Sequence, residues 1–171
     1  LVANKAAIKQ QLGIPACSDD TPQYVAVVLT GETNVGTVED PIILSVNPEP
    51  GNFDDDPEAE YFTEESTELE LTPGEYSLEY FAVWNGDPSD PSSDIIWIAP
   101  HNNGSLAAFV DDALPVSFNL GAGVKKYVDV EVLCYDAHFV QKYGYLFFDF
   151  EEVDILYLCL FGNVCDENGR H

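Results

Sequence analysis

From Tyr24 onward the chain alternates short apolar or half-apolar runs with clusters of turn residues, the pattern of β-strands rather than helices. "YVAVVLT" (Tyr24–Thr30) and "PIILSV" (Pro41–Val46) predict strands. "STELEL" alternates, with Leu69 and Leu71 on one side and Glu68 and Glu70 on the other. "TPGE" predicts a turn in which Gly74 supplies the positive φ of a type II turn. "YSLEYFAVW" begins with Tyr76, Leu78 and Tyr80 on one face and ends apolar on both. "IIWIAP", "GSLAAFV", "LPVSFNL", "KKYVDVEVLC", "YGYLFFDF" and "DILYLCLF" continue the series. Val116, Phe118 and Leu120, and likewise Val128, Val130 and Val132, recur at period two and predict core faces. Roughly nine strands with little helix predict an all-β fold, an antiparallel β-sandwich.

The first 23 residues read differently. "ANKAAIKQQLG" predicts a short helix over Asn4–Leu12, with Asn4 as N-cap and Gly13 closing it. The sequence divides into an N-terminal helical or docking segment, 1–23, and a single β-sandwich domain, 24–171. "GIPACSDD" has the order of a bacterial lipid-attachment site at Cys17. The residues before it include Asn4, Lys5, Lys9, Gln10 and Gln11, which an apolar leader would exclude. Cys17 therefore counts among the domain's own cysteines.

Charge narrows the function classes. There are 31 acidic residues against 6 basic ones, a net charge of −25, and nothing between Gln10 and Val124 is basic. Such a surface repels nucleic acid and anionic lipid. No apolar run reaches the ~20 residues of a membrane-spanning helix, so no direct membrane span is expected. The four cysteines Cys17, Cys134, Cys159 and Cys165 lack metal-site spacing, and their even number suits disulfides in an oxidising compartment. Three fully paired connectivities are open. Cys134 and Cys159 each end an apolar strand of like direction, which favours Cys134–Cys159 with Cys17–Cys165.

Candidate chemistry is sparse. "NNGSLAA" around Ser105 only grazes a nucleophile elbow, and no phosphate-cradling loop occurs, so an enzyme is not expected. Calcium is the one cofactor considered, because acidic loops offer the oxygens it prefers. The candidates are Asp54, Asp55 and Asp56 with Glu58, and Asp87, Asp90 and Asp94 with Asn85. Neither group has EF-hand spacing, and solvated acid is the competing reading. Trp84 and Trp97, on strands joined by one loop, would make a sugar-stacking platform if both faced outward, and core packing is the alternative. "NGS" at Asn103 fits a glycosylation sequon.

Two stretches carry a resemblance. "LELTPGEYSLEYFAVW" resembles the strand–turn–strand of transthyretin-like (prealbumin-like, Cna-B or fimbrillin-like) sandwiches. "VSFNLGAGVKKYVDVEVLCYDAHFVQKYGYLFFDF" with "LYLCLFGNVCDENGRH" resembles a module of Bacteroidota cell-surface proteins and lipoproteins. The resemblance spans residues 67–171 and implies an exported, non-catalytic β-sandwich at the cell surface or outside the cell. Its partners would be other surface proteins or copies of itself, in a structural or adhesive assembly or filament. A second class of function is a glycan-binding accessory module of an outer-membrane uptake system, with a polysaccharide as ligand.

Overall fold

The computed structural model describes residues 17–51, 60–64, 69, 71–123 and 125–145. These form one antiparallel sheet of six strands: β1 (Tyr24–Gly31), β2 (Ile42–Ser45), β3 (Gly74–Trp84), β4 (Ile95–Ile98), β5 (Val116–Leu120) and β6 (Leu133–Cys134). The order is β2-β1-β3-β4-β6, with β5 also on β3. The expected helix at Asn4–Leu12, and "YGYLFFDF" beyond Tyr145 with all of "DILYLCLF", lie outside the described residues.

β3 organises the sheet because it is long enough to serve three neighbours. One edge pairs with β1 from Tyr76 to Trp84. The other edge is shared, Gly74–Leu78 with β5 and Ala82–Trp84 with β4. The alternation of burial read from the sequence holds, but not the single face: Leu78 pairs with Leu29 and Tyr80 with Val28, so Tyr76 and Leu78 lie on the face opposite Tyr80. Tyr76, Leu78, Tyr80 and Ala82 are all buried, and Tyr76 stacks on Phe118 of β5 at 5.9 Å between centroids. β1 is buried from Val25 to Leu29, which accounts for its unbroken apolar run. Between Val28 and Leu29 the register shifts and Glu79 is left without a strand partner. Its carboxylate accepts a hydrogen bond from the Thr30 hydroxyl at 3.0 Å. A bulge of this kind increases the local twist and bends the sheet where β5 and β4 part company.

Three expectations change. "GSLAAF" is not a strand but contains a 3-10 helix, Ser105–Phe109, in which Leu106 is buried and Phe109 packs on the core. The spacing of three between these residues suits that helix, and Ala107 and Ala108 have little strand preference. Gly74 is extended (φ 158°), not the left-handed residue of a type II turn, and opens β3 opposite Leu120. A side chain there would run into Glu32, so the glycine serves close approach. Of "KKYVDVEVLC" only Leu133–Cys134 is a strand. The alternation of burial persists from Val128 to Val132, but the polar side is held by a side chain. The Glu131 carboxylate accepts from the Asp111 and Asp112 amides at 2.5 and 2.9 Å.

Residues 17–23, assigned from the sequence to a separate segment, are tied to the domain. Pro22 is fully buried. The Gln23 amide donates to the Trp84 carbonyl (2.9 Å), and the Gln23 carbonyl accepts from Val46 (2.8 Å). A second 3-10 helix, Ala137–Tyr143, starts on Asp136, whose carboxylate caps the His138 amide, and stops at Gly144 in the left-handed region (φ 90°). Among the described residues no helix is long and apolar enough to cross a membrane.

Candidate functional site

The face of the sheet that carries Tyr80 holds an open cleft of about 420 Å³. Sheet residues Ala26, Ile43, Tyr80, Trp84 and Ile95 line it, joined by Tyr135. Their common face follows from register, since Ala26 lies between Ile43 and Ala82, and Trp84 lies opposite Ile95. The β1–β2 loop contributes Glu39 and Asp40, and the β3–β4 loop contributes Pro88 and Ser89. An apolar floor with carboxylates beside it suits an apolar or cationic contact and repels anions. Burial, and secondarily the nearby Tyr135 phenol, pushes the Tyr80 hydroxyl up to about 12. Tyr80 is thus a neutral donor and acceptor at physiological pH. Further along this same face, two residues past Val28, Thr30 stands in a row with Ser77 and Ser117 across β1, β3 and β5, beside a second open cleft of about 440 Å³.

Trp84 and Trp97 do not share a face. Trp97 pairs with Val83, the strand neighbour of Trp84, so the two indoles project to opposite sides of the sheet. Both are partly buried and packed on the core. Trp97 lies instead against Tyr61, with centroids 5.9 Å apart and planes tilted by 44°. Tyr61 is 43 % exposed, so this is the described aromatic pair nearest to what a stacking platform needs. Tyr61 sits just past the acidic loop, where no periodicity points to it.

The β3–β4 loop explains its own aspartates. Asp87 and Asp90 each begin an Asp-Pro-Ser unit. The Asp87 carboxylate accepts from the Ser89 hydroxyl (2.7 Å) and amide (2.8 Å). Asp90 accepts from the Ser92 amide (2.9 Å) and hydroxyl (2.8 Å). The Ser89 hydroxyl first and its amide second hold Asp87 below the usual carboxylate range. For Asp90 the Ser92 amide leads and its hydroxyl follows. Asp94 closes the loop through its backbone, donating to Asn85 Oδ1 at 2.8 Å and accepting from the Asn85 amide at 3.1 Å. The expected calcium group at Asp87, Asp90 and Asp94 is therefore not drawn together. Among the described residues no three His, Cys, Asp or Glu side chains gather as a metal site. Asp54, Asp55, Asp56 and Glu58 lie outside the described residues.

Cys17 and Cys134 are paired as a disulfide, their Cα atoms 5.0 Å apart. This replaces the expected pairing of Cys134 with Cys159 and of Cys17 with Cys165. β6 is only two residues long and pairs with Trp97 and Ile98, which puts Cys134 where the chain approaching β1 passes. Cys159 and Cys165 lie outside the described residues. Asn103, of the sequon, is exposed in the turn closed by the Gly104 amide on the His101 carbonyl at 2.8 Å.

No protein-family model, curated protein or solved structure matches this chain.

Proposed function

We propose that this is an exported, non-catalytic protein of the cell surface or extracellular space. It acts by protein–protein contact in a structural or adhesive assembly, and its completed fold is a β-sandwich of transthyretin or immunoglobulin kind. The observation that carries this reading is how charge is divided along the chain. Residues 1–16 hold Lys5 and Lys9 and none of the 31 acidic residues, leaving four basic residues against all the acid in the remainder. A short cationic stretch ahead of a strongly anionic domain is complementary to a second copy of that domain. Unaided, the domains repel one another. The Cys17–Cys134 disulfide supports an oxidising, extracytoplasmic setting. The Bacteroidota surface-module resemblance agrees with this reading.

Because residues 17–23 belong to the domain, the test cuts before Cys17. Sedimentation of the intact chain, of a chain lacking residues 1–16, and of K5E/K9E is compared at one ionic strength. The intact chain is expected to associate, and both variants to stay monomeric while keeping the β-sheet circular dichroism. If all three associate alike, the contact does not use this segment. An intact chain that is monomeric, but is retained on a polysaccharide and loses retention on substitution of Trp84 or Trp97, would replace this reading with the glycan-binding one.

A further inference from the structure

We infer that the Cys17–Cys134 disulfide is a redox-operated tether. It holds residues 17–21 against the β6 edge, and its reduction frees them at a hinge before Pro22 while the sheet stays folded. The inference does not depend on the assembly role proposed above.

The two ends of the bond are held unequally. On the β6 side, Cys134 pairs with Trp97, and the neighbouring Leu133 is buried opposite Ile98. The Cys134 carbonyl accepts from the Tyr143 hydroxyl at 2.5 Å, and the Tyr135 amide donates to Ile96 at 2.9 Å. On the Cys17 side, every residue from Cys17 to Thr21 is exposed. Among the described residues, the noncovalent tie to this stretch from outside it is Asn85 Nδ2 donating to Asp20 Oδ2 at 3.2 Å, an exposed bond; the Ser18–Asp20 bonds are internal to it. Firm anchorage begins at buried Pro22 and at Gln23, bonded to Trp84 and Val46. Opening the disulfide therefore removes the main restraint on one partner and little from the other.

The chemistry is a two-electron exchange with a dithiol reductant. Its thiolate attacks Sγ of exposed Cys17, and Cys134 leaves as a thiolate and takes a proton. The reductant's second thiol then displaces Cys17, giving two protein thiols and an oxidised, disulfide-bonded reductant.

The test is backbone 15N relaxation of the full chain, oxidised and after dithiothreitol, with C17S/C134S measured without reductant. In the oxidised protein, peptide mapping should find Cys17 joined to Cys134, and the amides of Ser18–Thr21 should have order parameters above about 0.7. Reduction, and the double variant, should lower these to below about 0.6 while β1 and β3 stay near about 0.85. Unchanged values at Ser18–Thr21 would overturn the inference. So would concurrent loss of order in β1 and β3 on reduction, since the bond would then hold the fold, and so would pairing of Cys17 with Cys159 or Cys165.

Discussion

The Tyr143 hydroxyl donates to the carbonyl of Cys134 at 2.5 Å, across nine residues of chain, and accepts from the Asp136 amide at 3.2 Å. Tyr143 is fully buried, and its carbonyl also accepts from the His101 amide at 2.7 Å. One phenol thus fixes the turn that follows β6, and one peptide group joins that turn to the segment after β4. Tyr143→Phe keeps the ring and removes both hydroxyl bonds, and is expected to cost about 1–3 kcal/mol in denaturant unfolding. Tyr143→Ala, which also empties the ring's place, should cost about 3–5 kcal/mol. Equal stabilities for wild type and Tyr143→Phe would show that the hydroxyl bonds contribute nothing net.

Two glycines, Gly104 beside Tyr143 and Gly123 after β5, are required for different reasons, and their alanine variants should separate. A side chain at Gly104 would strike the Lys142 carbonyl and the Gly144 amide, both backbone and unable to swing aside. Gly104→Ala should therefore lose about 2 kcal/mol or more and disturb the second 3-10 helix. Gly123 has open space around it but φ of +66°, so its alanine variant should lose only about 1–2 kcal/mol of backbone strain. Chemical denaturation of the two variants side by side decides it. The reverse order of losses would mean that the turn around Gly104 can relax.

The strands from β1 to β5 are legible in the sequence because each either alternates or runs apolar where both faces are covered. Tyr76, Leu78 and Tyr80 are readable as buried for that reason, but the bulge at Glu79, which turns Tyr80 to the other face, is not. Partnership was not legible. Periodicity assigns a side chain to a face, but it does not say that β3 divides one edge between β5 and β4. Nor does it say that Trp97 sits opposite Val83 rather than Trp84. The same gap hid the Cys17–Cys134 pair, which depends on a two-residue strand, and the Tyr61–Trp97 contact, which depends on a loop's return. At Asp87 and Asp90 the sequence shows acid but not direction. The serines two residues on turn both carboxylates inward, toward their own backbone.

That inward turn makes the β3–β4 loop sensitive to acid. Both carboxylates have folded values below the ordinary 3.8, so their contribution is complete above that value and is lost as pH falls through the folded one. Carboxyl 13C titration of Asp87 and Asp90 should give midpoints below 3.8. The Ser89 and Ser92 amide shifts should move with them. Asp87→Asn should leave the Ser89 shift without its acid titration. Midpoints at or above the ordinary value would mean that the serine bonds do not persist in solution.

At the alkaline end the sign reverses in mechanism though not in outcome. Burial pushes both Tyr80 and Tyr143 up to about 12. For Tyr143 the Asp136 amide opposes this, while the charges of Asp136 and Tyr135 add to it. Tyr145 is raised as well, by burial first and then by Tyr80 and Glu79. Tyr80 and Tyr145 meet edge to face at 5.2 Å, and the Tyr145 hydroxyl donates to the Ala99 carbonyl at 2.8 Å, a bond that needs the neutral phenol. A raised folded pKa means that the unfolded chain releases its proton first. The associated stability is complete below pH 10, the ordinary value, and is lost as pH climbs toward the folded values near 12. Each such tyrosine should add about 1.4 kcal/mol per pH unit to the slope of that decline. Denaturant unfolding measured from neutral pH to pH 11, with tyrosinate absorbance followed in parallel, should show stability falling only above pH 10. Tyr80→Phe should make the fall shallower by one tyrosine's share. A decline of unchanged slope in Tyr80→Phe, or tyrosinate appearing in the folded protein for all nine tyrosines well below pH 12, would refute the burial assigned to this cluster.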